Sequence, residues 1–239
     1  MYVVKRKRIC LILIALLLGI FAYSYEGTKI RLDEEIQETT STPVSGKVIV
    51  VDAGHGVPDE GAQSSRGTTE AETNLKIALK LQNLLEQSGC TVILTRSDEN
   101  AIYDLDRTTL REKKISDIRN RVKIGNNASA DIFVSIHLNK IPQQQYWGWQ
   151  CFYNSGNEKS TNLAKKIQAN LNDSIQKENK RIAMKLDTVY IMKHVEIPIS
   201  IVECGFLSNP EEEQQLLDDE YQNKLAWGIF NGIIDYFNE

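Results

Sequence analysis

The sequence predicts an α/β fold, with a single doubly wound, mostly parallel or mixed central sheet and helices on both faces. Short runs rich in Val and Ile alternate with longer segments whose apolar residues recur at spacings of three and four, as expected for strands that alternate with amphipathic helices. The runs are apolar throughout, which is typical of strands buried on both faces. About 190 residues follow Lys47, enough for one domain with one hydrophobic core.

The predicted elements follow one another in a regular order. The strand VIVVDA precedes a helix over residues 70–88, which Thr69 and Glu72 begin as a capping box because each can bond a free amide of the first turn. The strand CTVILT, a helix over residues 114–128 and the strand DIFVSIHL come next. The remaining predictions are strands at residues 149–153 and 187–192, the strand IPISIVECG, and helices over residues 158–177 and 221–237.

The first 24 residues predict a basic cytoplasmic segment followed by a transmembrane anchor or an export signal. The run KRKR precedes an uncharged apolar stretch of 15 residues, ICLILIALLLGIFAY. This stretch is shorter than the roughly 20 residues of a usual membrane span. Ala22-Tyr23-Ser24 weakly resembles a cleavage site, so an uncleaved anchor and a cleaved signal both remain open. Either alternative predicts an exported domain, anchored to the outer face of the cytoplasmic membrane or secreted.

Composition separates this N-terminal segment from the rest of the chain. Residues 25–46 are polar and rich in Ser and Thr and predict a flexible linker to a catalytic domain at residues 47–239. The net charge of -4, with no basic cluster in that domain, excludes nucleic acid as a partner. Apart from Cys10 in the apolar stretch, we interpret Cys90, Cys151 and Cys204 as buried small hydrophobic residues, although a bridge from Cys90 to Cys151 remains open.

Ionisable residues stand where the predicted strands end. His55 follows VIVVDAG, His137 closes DIFVSIH and Glu203 closes ISIVE, and the whole chain has only 3 histidines. In open α/β sheets the ligand site lies outside the carboxyl ends of the strands. Each residue alone could serve a structural hydrogen bond, but together they predict a site at that edge.

Glu70 is the predicted fourth member of this site. A carboxylate at the first position of a helix is stabilised by the positive end of the helix dipole, and this could be the whole role of Glu70. The loop of residues 54–67 also returns the chain to the mouth of the sheet, where Glu70 can meet His55. Two imidazoles, one carboxylate and an open fourth position form the ligand set of a catalytic zinc site.

Five segments carry a family resemblance: VDAGHG, PDEGA, TEAETNL, ADIFVSIHLN and IVECGFLSNPEEEQQL. In order and spacing they resemble the zinc-dependent N-acetylmuramoyl-L-alanine amidases of the type 3 family, from about Gly46 to the end of the chain. The resemblance implies one Zn²⁺ held by His55, Glu70 and His137, and a catalytic acid and base at Glu203. It also implies hydrolysis of the amide between the muramic acid lactyl group and L-alanine of peptidoglycan.

The short N-terminal segment, without wall-binding repeats, is similar to that of the spore-cortex members of this family. That resemblance implies a role in making muramic δ-lactam in the cortex, with a peptidoglycan deacetylase as functional partner. The chain departs from the usual family pattern at Ala53, Val57 and Cys204. The first two alter a turn without removing a ligand, and we expect Cys204 to be a packed neutral thiol, with an adventitious zinc ligand as the alternative.

Other residues give weaker signals. Asn139 and Trp147 are candidate substrate-binding residues, although a strand end and strand packing explain them equally well or better. We expect Arg119 and Arg121 to be salt-bridged surface residues and Glu211 to Glu213 to form a solvated acidic face.

The sequence leaves three other classes of protein open. A phosphate-binding α/β fold would begin with a similar strand and turn, but this sequence has no G-x-G-x-x-G or Walker A motif after the strand. A different zinc peptidase or amidohydrolase would use the same chemistry. A non-catalytic homologue that binds peptidoglycan would be expected to lose one of the four site residues.

Overall fold

The computed structural model describes residues 17–27, 29 and 42–239. Residues 17–27 are helical with exposed side chains. Within the described parts of the chain, no helix combines the length and apolar character needed to cross a bilayer. The basic run, the start of the predicted apolar stretch and most of the predicted linker lie outside the described residues.

Residues 42–239 form one compact unit built on a six-stranded sheet. The strands are β1 (Val48–Ala53), β2 (Thr91–Leu94), β3 (Ile132–Asn139), β4 (Gln150–Tyr153), β5 (Met184–Lys185) and β6 (Ile199–Phe206). Their order across the sheet is β2-β1-β3-β6-β4-β5. Strands β2, β1, β3 and β6 run parallel, whereas β4 is antiparallel to β6. The sheet is therefore mixed, which confirms the predicted α/β class.

Helices cover both faces of this sheet. They are α1 (Glu70–Gln87), α2 (Leu110–Asn127), α3 (Glu158–Ile175), α4 (Tyr190–His194), α5 (Pro210–Leu217) and α6 (Asp219–Phe237). The larger hydrophobic cluster joins α1, α3 and α6 to side chains such as Val51 and Val134 on one face. The smaller cluster joins α2 and α4 to Val50, Phe133 and Ile201 on the other face. The strands are apolar throughout because both of their faces are covered.

The predicted strand at residues 187–192 is wrong. The chain forms only the two-residue strand β5 before it and then the short helix α4. Inside α4, the ring of His194 stacks on Tyr190 with centroids 3.9 Å apart, and Ile191 and Met192 turn into the core. A short apolar run is compatible with either a strand or a buried helical turn, so periodicity alone could not distinguish between them.

Two helix starts also differ in detail from the prediction. Helix α2 begins four residues early, at Leu110, because Thr109 and Glu112 form a reciprocal capping box. At α1, Thr69 accepts a hydrogen bond from the amide of Glu72, as predicted. The carboxylate of Glu72 instead pairs with Lys76 at 2.7 Å, so only half of that capping box is present.

Candidate metal and catalytic site

The site lies at the carboxyl ends of the parallel strands, on the face of the sheet that α2 and α4 cover. Side chains alternate along a strand, so Asp52, His137 and Glu203 share the face of Val50, Phe133 and Ile201. His137 of β3 stands directly opposite Glu203 of β6 in the ladder. Two of the three predicted strand-end residues, His137 and Glu203, are therefore neighbours in the sheet. The third, His55, lies in the loop after β1, and its ring centroid is 5.1 Å from that of His137.

Two buried arginines hold that loop by its backbone. The guanidinium of Arg96 donates to the carbonyl oxygens of Ala53 at 2.8 Å and Gly54 at 3.1 Å. That of Arg121 donates to the carbonyl oxygens of Ala53 at 2.7 Å and His55 at 2.6 Å. His55 itself has a φ of 63°, a left-handed conformation that a residue with a side chain rarely adopts. The arginine contacts stabilise this conformation and so fix where the imidazole lies.

Arg121 is itself part of a buried ion-pair network. Its guanidinium contacts Asp52 at 2.6 Å and Asp117 at 2.8 Å, and Thr95 and Ser135 donate to the carboxylate of Asp52. Burial would raise the pKa of Asp52, but the charge of Arg121 and the hydroxyl donors outweigh it and lower that pKa. The expectation that Arg121 lies on the surface is wrong, because the residue is only 3% exposed.

Glycines next to the site make room for its side chains. A Cβ on Gly54 would lie 2.3 Å from the ring of His137. A Cβ on Gly61, whose φ is +72°, would lie 2.6 Å from Oε2 of Glu70 and 2.8 Å from the ring of His55. Both positions therefore require glycine for the imidazoles and the carboxylate to meet.

Glu70 joins the two histidines. Its Oε1 lies 3.3 Å from Nε2 of His55 and 2.9 Å from Nδ1 of His137, and it accepts a hydrogen bond from the amide of Leu138. Oε2 accepts from the amide of Ala62 at 2.8 Å. Burial would raise the pKa of Glu70, but the hydrogen bonds and charges of the two imidazoles outweigh it and lower that pKa well below its usual range. One ligand atom from each of these three residues lies within 4.8 Å of the others.

Asp59 completes the surroundings of His55. Its Oδ2 lies 3.2 Å from Nδ1 of His55 and 3.0 Å from Nζ of Lys114. Burial would lower the pKa of His55, but the hydrogen bonds with Asp59 and Glu70 outweigh it and raise that pKa to about 9. These partners favour the protonated imidazole in the metal-free protein, so a metal that binds His55 would compete with a proton.

Glu203 contributes a carboxylate with unused hydrogen-bonding capacity. Its Oε2 is buried and has no hydrogen-bond partner among the described residues. Burial raises the pKa of Glu203 to about 7. The next residue, Cys204, points to the opposite face, where its free thiol packs in the larger hydrophobic cluster. Cys90 and Cys151 are also free and buried, as predicted, so no bridge joins them.

A cavity of about 530 Å³ opens over these residues. His55, His137 and Glu203 line it together with side chains of α2 and of the segment around β5 and α4. The weaker candidates lie outside its lining. Asn139 ends β3 beyond a β-bulge, and Trp147 is half-buried with Nζ of Lys177 3.9 Å from its ring centroid.

The expected solvated acidic face at Glu211 to Glu213 is also wrong, because Glu212 and Glu213 are 2% and 1% exposed. Glu212 accepts hydrogen bonds from the amides of Gly148 and Phe206, which ties the start of β4 to the end of β6. Glu213 accepts a hydrogen bond from Thr68 at 2.8 Å, just before the helix that carries Glu70. These partners are distant in sequence or lie in the backbone, so no local pattern indicated them.

The fold and its strand-end cluster correspond to a known class of enzyme. A profile of the Amidase_3 family, N-acetylmuramoyl-L-alanine amidase, matches residues 49–235. The chain therefore belongs to the N-acetylmuramoyl-L-alanine amidase family and acts on peptidoglycan. This result confirms the predicted family and activity.

Individual relatives show which members of the family this chain is similar to. The chain is 34% identical over 224 residues to the germination-specific N-acetylmuramoyl-L-alanine amidase of Bacillus subtilis, covering 94% of this chain and 91% of the relative. It superposes with a TM-score of 0.79 and 42% identity on the CwlD amidase of Clostridioides difficile, solved in complex with the GerS lipoprotein, over 81% of this chain and 99% of that one. An N-acetylmuramoyl-L-alanine amidase of Clostridium difficile 630 gives a TM-score of 0.71 at 29% identity, over 82% of this chain and 98% of that one. The likeness to CwlD confirms the predicted resemblance to the spore-cortex members.

Proposed function

We propose that this amidase is zinc-dependent, that His55, Glu70 and His137 hold the metal, and that Glu203 is the catalytic acid and base. The observation that carries the proposal is the cluster itself. Ligand atoms of the three residues lie within 4.8 Å of one another at the strand ends, and the unpaired Oε2 of Glu203 belongs to the same cavity. Perturbed ionisable groups in a cavity are typical of catalytic sites.

The donor set suits zinc. Two imidazoles and one carboxylate, with a position left for water, form a catalytic zinc site, whereas Ca²⁺ and Mg²⁺ prefer oxygen ligands alone. A divalent cation would replace the protons that the imidazoles now share with Glu70. Asp59 would accept a hydrogen bond from Nδ1 of His55, and this contact would orient Nε2 as the metal ligand.

The reaction needs a water molecule to attack the lactyl carbonyl and a proton to reach the leaving nitrogen. When bound, Zn²⁺ supplies Lewis acidity at this position and lowers the pKa of a coordinated water towards about 7. Glu203 accepts the proton of the attacking water and returns it to the nitrogen of L-alanine. Burial, which raises the pKa of Glu203 in the metal-free protein, favours the protonated carboxyl that the second step requires. The products are a peptide with a free amino terminus and a glycan with a lactyl carboxylate.

The spore cortex is the proposed setting of this reaction. The name of the germination-specific Bacillus subtilis relative supports it. A lactyl carboxylate can close on a free 2-amino group of the same sugar to form muramic δ-lactam, and the N-acetyl group must be removed first. A peptidoglycan deacetylase is therefore the proposed functional partner. The complex of the Clostridioides difficile relative with GerS supports a lipoprotein as a second candidate partner.

Export and substrate contacts complete the proposal. Peptidoglycan lies outside the cytoplasmic membrane, so residues 1–24 are proposed to act as an anchor or signal, residues 25–46 as a linker and residues 47–239 as the catalytic domain. The last residues of this linker, 42–46, are packed on the domain, where Val44 is buried in the larger hydrophobic cluster. Asn139 and Trp147 remain proposed substrate contacts beyond the cavity lining.

Removal of the metal tests the proposal directly. The full chain is incubated with vegetative and with cortex peptidoglycan, and newly exposed amino-terminal alanine is measured with Zn²⁺, with a chelator, and with Zn²⁺ restored. We expect release that stops with the chelator and returns with the metal, and faster release from cortex peptidoglycan. Release that the chelator leaves unchanged would contradict the zinc dependence, and faster release from vegetative peptidoglycan would contradict the cortex role.

Replacing either proposed histidine ligand should abolish stable zinc binding. We expect His55→Ala and His137→Ala to lower zinc affinity by more than about 100-fold, because removal of a ligand costs more than removal of a residue that only orients one. The measurement is zinc content after dialysis. His194→Ala is the matched control, because His194 is exposed and contacts Tyr190 rather than the cluster. Stoichiometric zinc in both ligand variants would show that other residues hold the metal.

A further inference from the structure

The walls of the cavity suit a peptide better than a sugar. Aliphatic side chains of α2 and of the segment around α4 line it, namely Ile115, Ile118, Leu186, Val189 and Ile191. Among its described lining residues, none is Trp, Tyr or Phe. Such apolar walls suit the aliphatic parts of a ligand, and the few polar groups among them fix its orientation. This lining favours the stem peptide, rather than the glycan, as the part of the substrate that enters the cavity.

Three lysine and arginine side chains line the same cavity, and they differ in what they contact. Arg121 is buried and paired with Asp52 and Asp117. Lys114 pairs with Asp59. Arg111 is exposed at the start of α2 and makes no ion pair or hydrogen bond with any residue that the structure describes. Arg111 is thus the cavity cation whose donors are free for a ligand.

The position of Arg111 on α2 determines which part of the substrate its side chain could reach when the scissile amide lies at the metal site. Lys114 is joined to His55 through Asp59 by contacts of 3.0 and 3.2 Å. Arg111 precedes Lys114 by three residues, so it lies on the same face of α2, about one helical turn or ~5 Å further along. An extended peptide advances roughly 3.5 Å per residue. A group about two residues beyond the scissile amide is therefore within reach of the Arg111 side chain.

A carboxylate occurs at that place in the stem peptide. L-alanine is followed by D-glutamate, through whose side-chain carboxyl the chain continues, so the α-carboxylate of D-glutamate is free unless it is amidated. A guanidinium binds a carboxylate with two parallel hydrogen bonds, which an amide cannot accept in the same way. Building on the amidase function proposed above, we propose that Arg111 binds this α-carboxylate and makes the enzyme prefer stem peptides with unamidated D-glutamate.

Paired substrates test the proposal. The zinc-loaded full chain is given two disaccharide tripeptides that differ only in D-glutamate or D-isoglutamine at the second position, and release of the L-alanine terminus is followed. We expect kcat/KM to be about fivefold higher for the acid, as for one partly exposed charged contact. Arg111→Gln should bring the ratio of the two substrates close to one, mainly through KM. Arg111→Glu should reverse the preference.

Arg119→Gln is the matched control, because Arg119 is exposed on the same helix and does not line the cavity. It should keep the wild-type ratio. Equal cleavage of both substrates by the wild type, or an unchanged ratio in Arg111→Gln, would overturn the proposal while leaving the amidase function intact. No cleavage of either substrate by the wild type would instead contradict the proposed function, and the subsite with it.

Discussion

Glu203→Gln is expected to bind zinc as the wild type does and to lose amide hydrolysis by a factor of about 10²–10⁴, the usual contribution of a general acid or base. Glutamine keeps the shape of the side chain but cannot accept the proton of the attacking water. Because Glu203 lies in the cavity without being a member of the three-residue cluster, the ligands should stay in place. Zinc content and release of amino-terminal alanine are measured on the same preparation.

The neighbouring residue provides a control for this variant. Cys204 points into the larger hydrophobic cluster, away from the cavity. Cys204→Ala changes the same strand at the next position and should retain both zinc and turnover. Turnover near the wild-type level in Glu203→Gln would mean that another group transfers the proton. Loss of zinc in that variant would mean that Glu203 is itself a ligand.

Arg121→Met is expected to lower the free energy of unfolding by about 3–5 kcal/mol, because it leaves the carboxylates of Asp52 and Asp117 buried without their cationic partner. The carbonyl oxygens of Ala53 and His55 lose a donor at the same time. Methionine fills much of the same volume, so the loss reports charge and hydrogen bonds more than packing. Denaturant unfolding of the metal-free chain measures it.

Arg119→Met is the control for this change, because it removes an exposed arginine from the same helix. Substitutions at such positions usually alter stability by less than about 0.5 kcal/mol. If the two variants unfold at the same denaturant concentration, the buried network does not stabilise the fold. The wild-type folded state would then hold the loop of His55 by other contacts.

The predictions that succeeded rest on local patterns. Continuous apolar runs identified β1, β3 and β6, and spacings of three and four identified α1, α3 and α6. The ends of β1, β3 and β6 pointed to His55, His137 and Glu203 because parallel strands in one sheet end at the same edge. The structure groups His55 and His137 with Glu70, and it places His55, His137 and Glu203 in the lining of one cavity.

The errors concern charged residues and one short apolar segment. Arg121, Glu212 and Glu213 were expected on the surface, yet they are buried. Burial of a charge depends on its partners, and here the partners include Asp52, 69 residues away from Arg121, and the amide of Gly148, 64 residues away from Glu212. The segment at residues 187–192 runs into α4 instead of forming a strand, and Ile191 and Met192 of α4 pack in the smaller hydrophobic cluster with Val122 of α2.

By itself the sequence determined the α/β class, the family and the strand-end residues of the site, because each depends on the local spacing of side chains. Only the tertiary structure determined that β4 runs antiparallel to β6, that two buried arginines hold the backbone around His55, and that Arg111 has no partner among the described residues. These features depend on contacts between residues far apart in the chain, and such contacts leave no periodic pattern in the sequence.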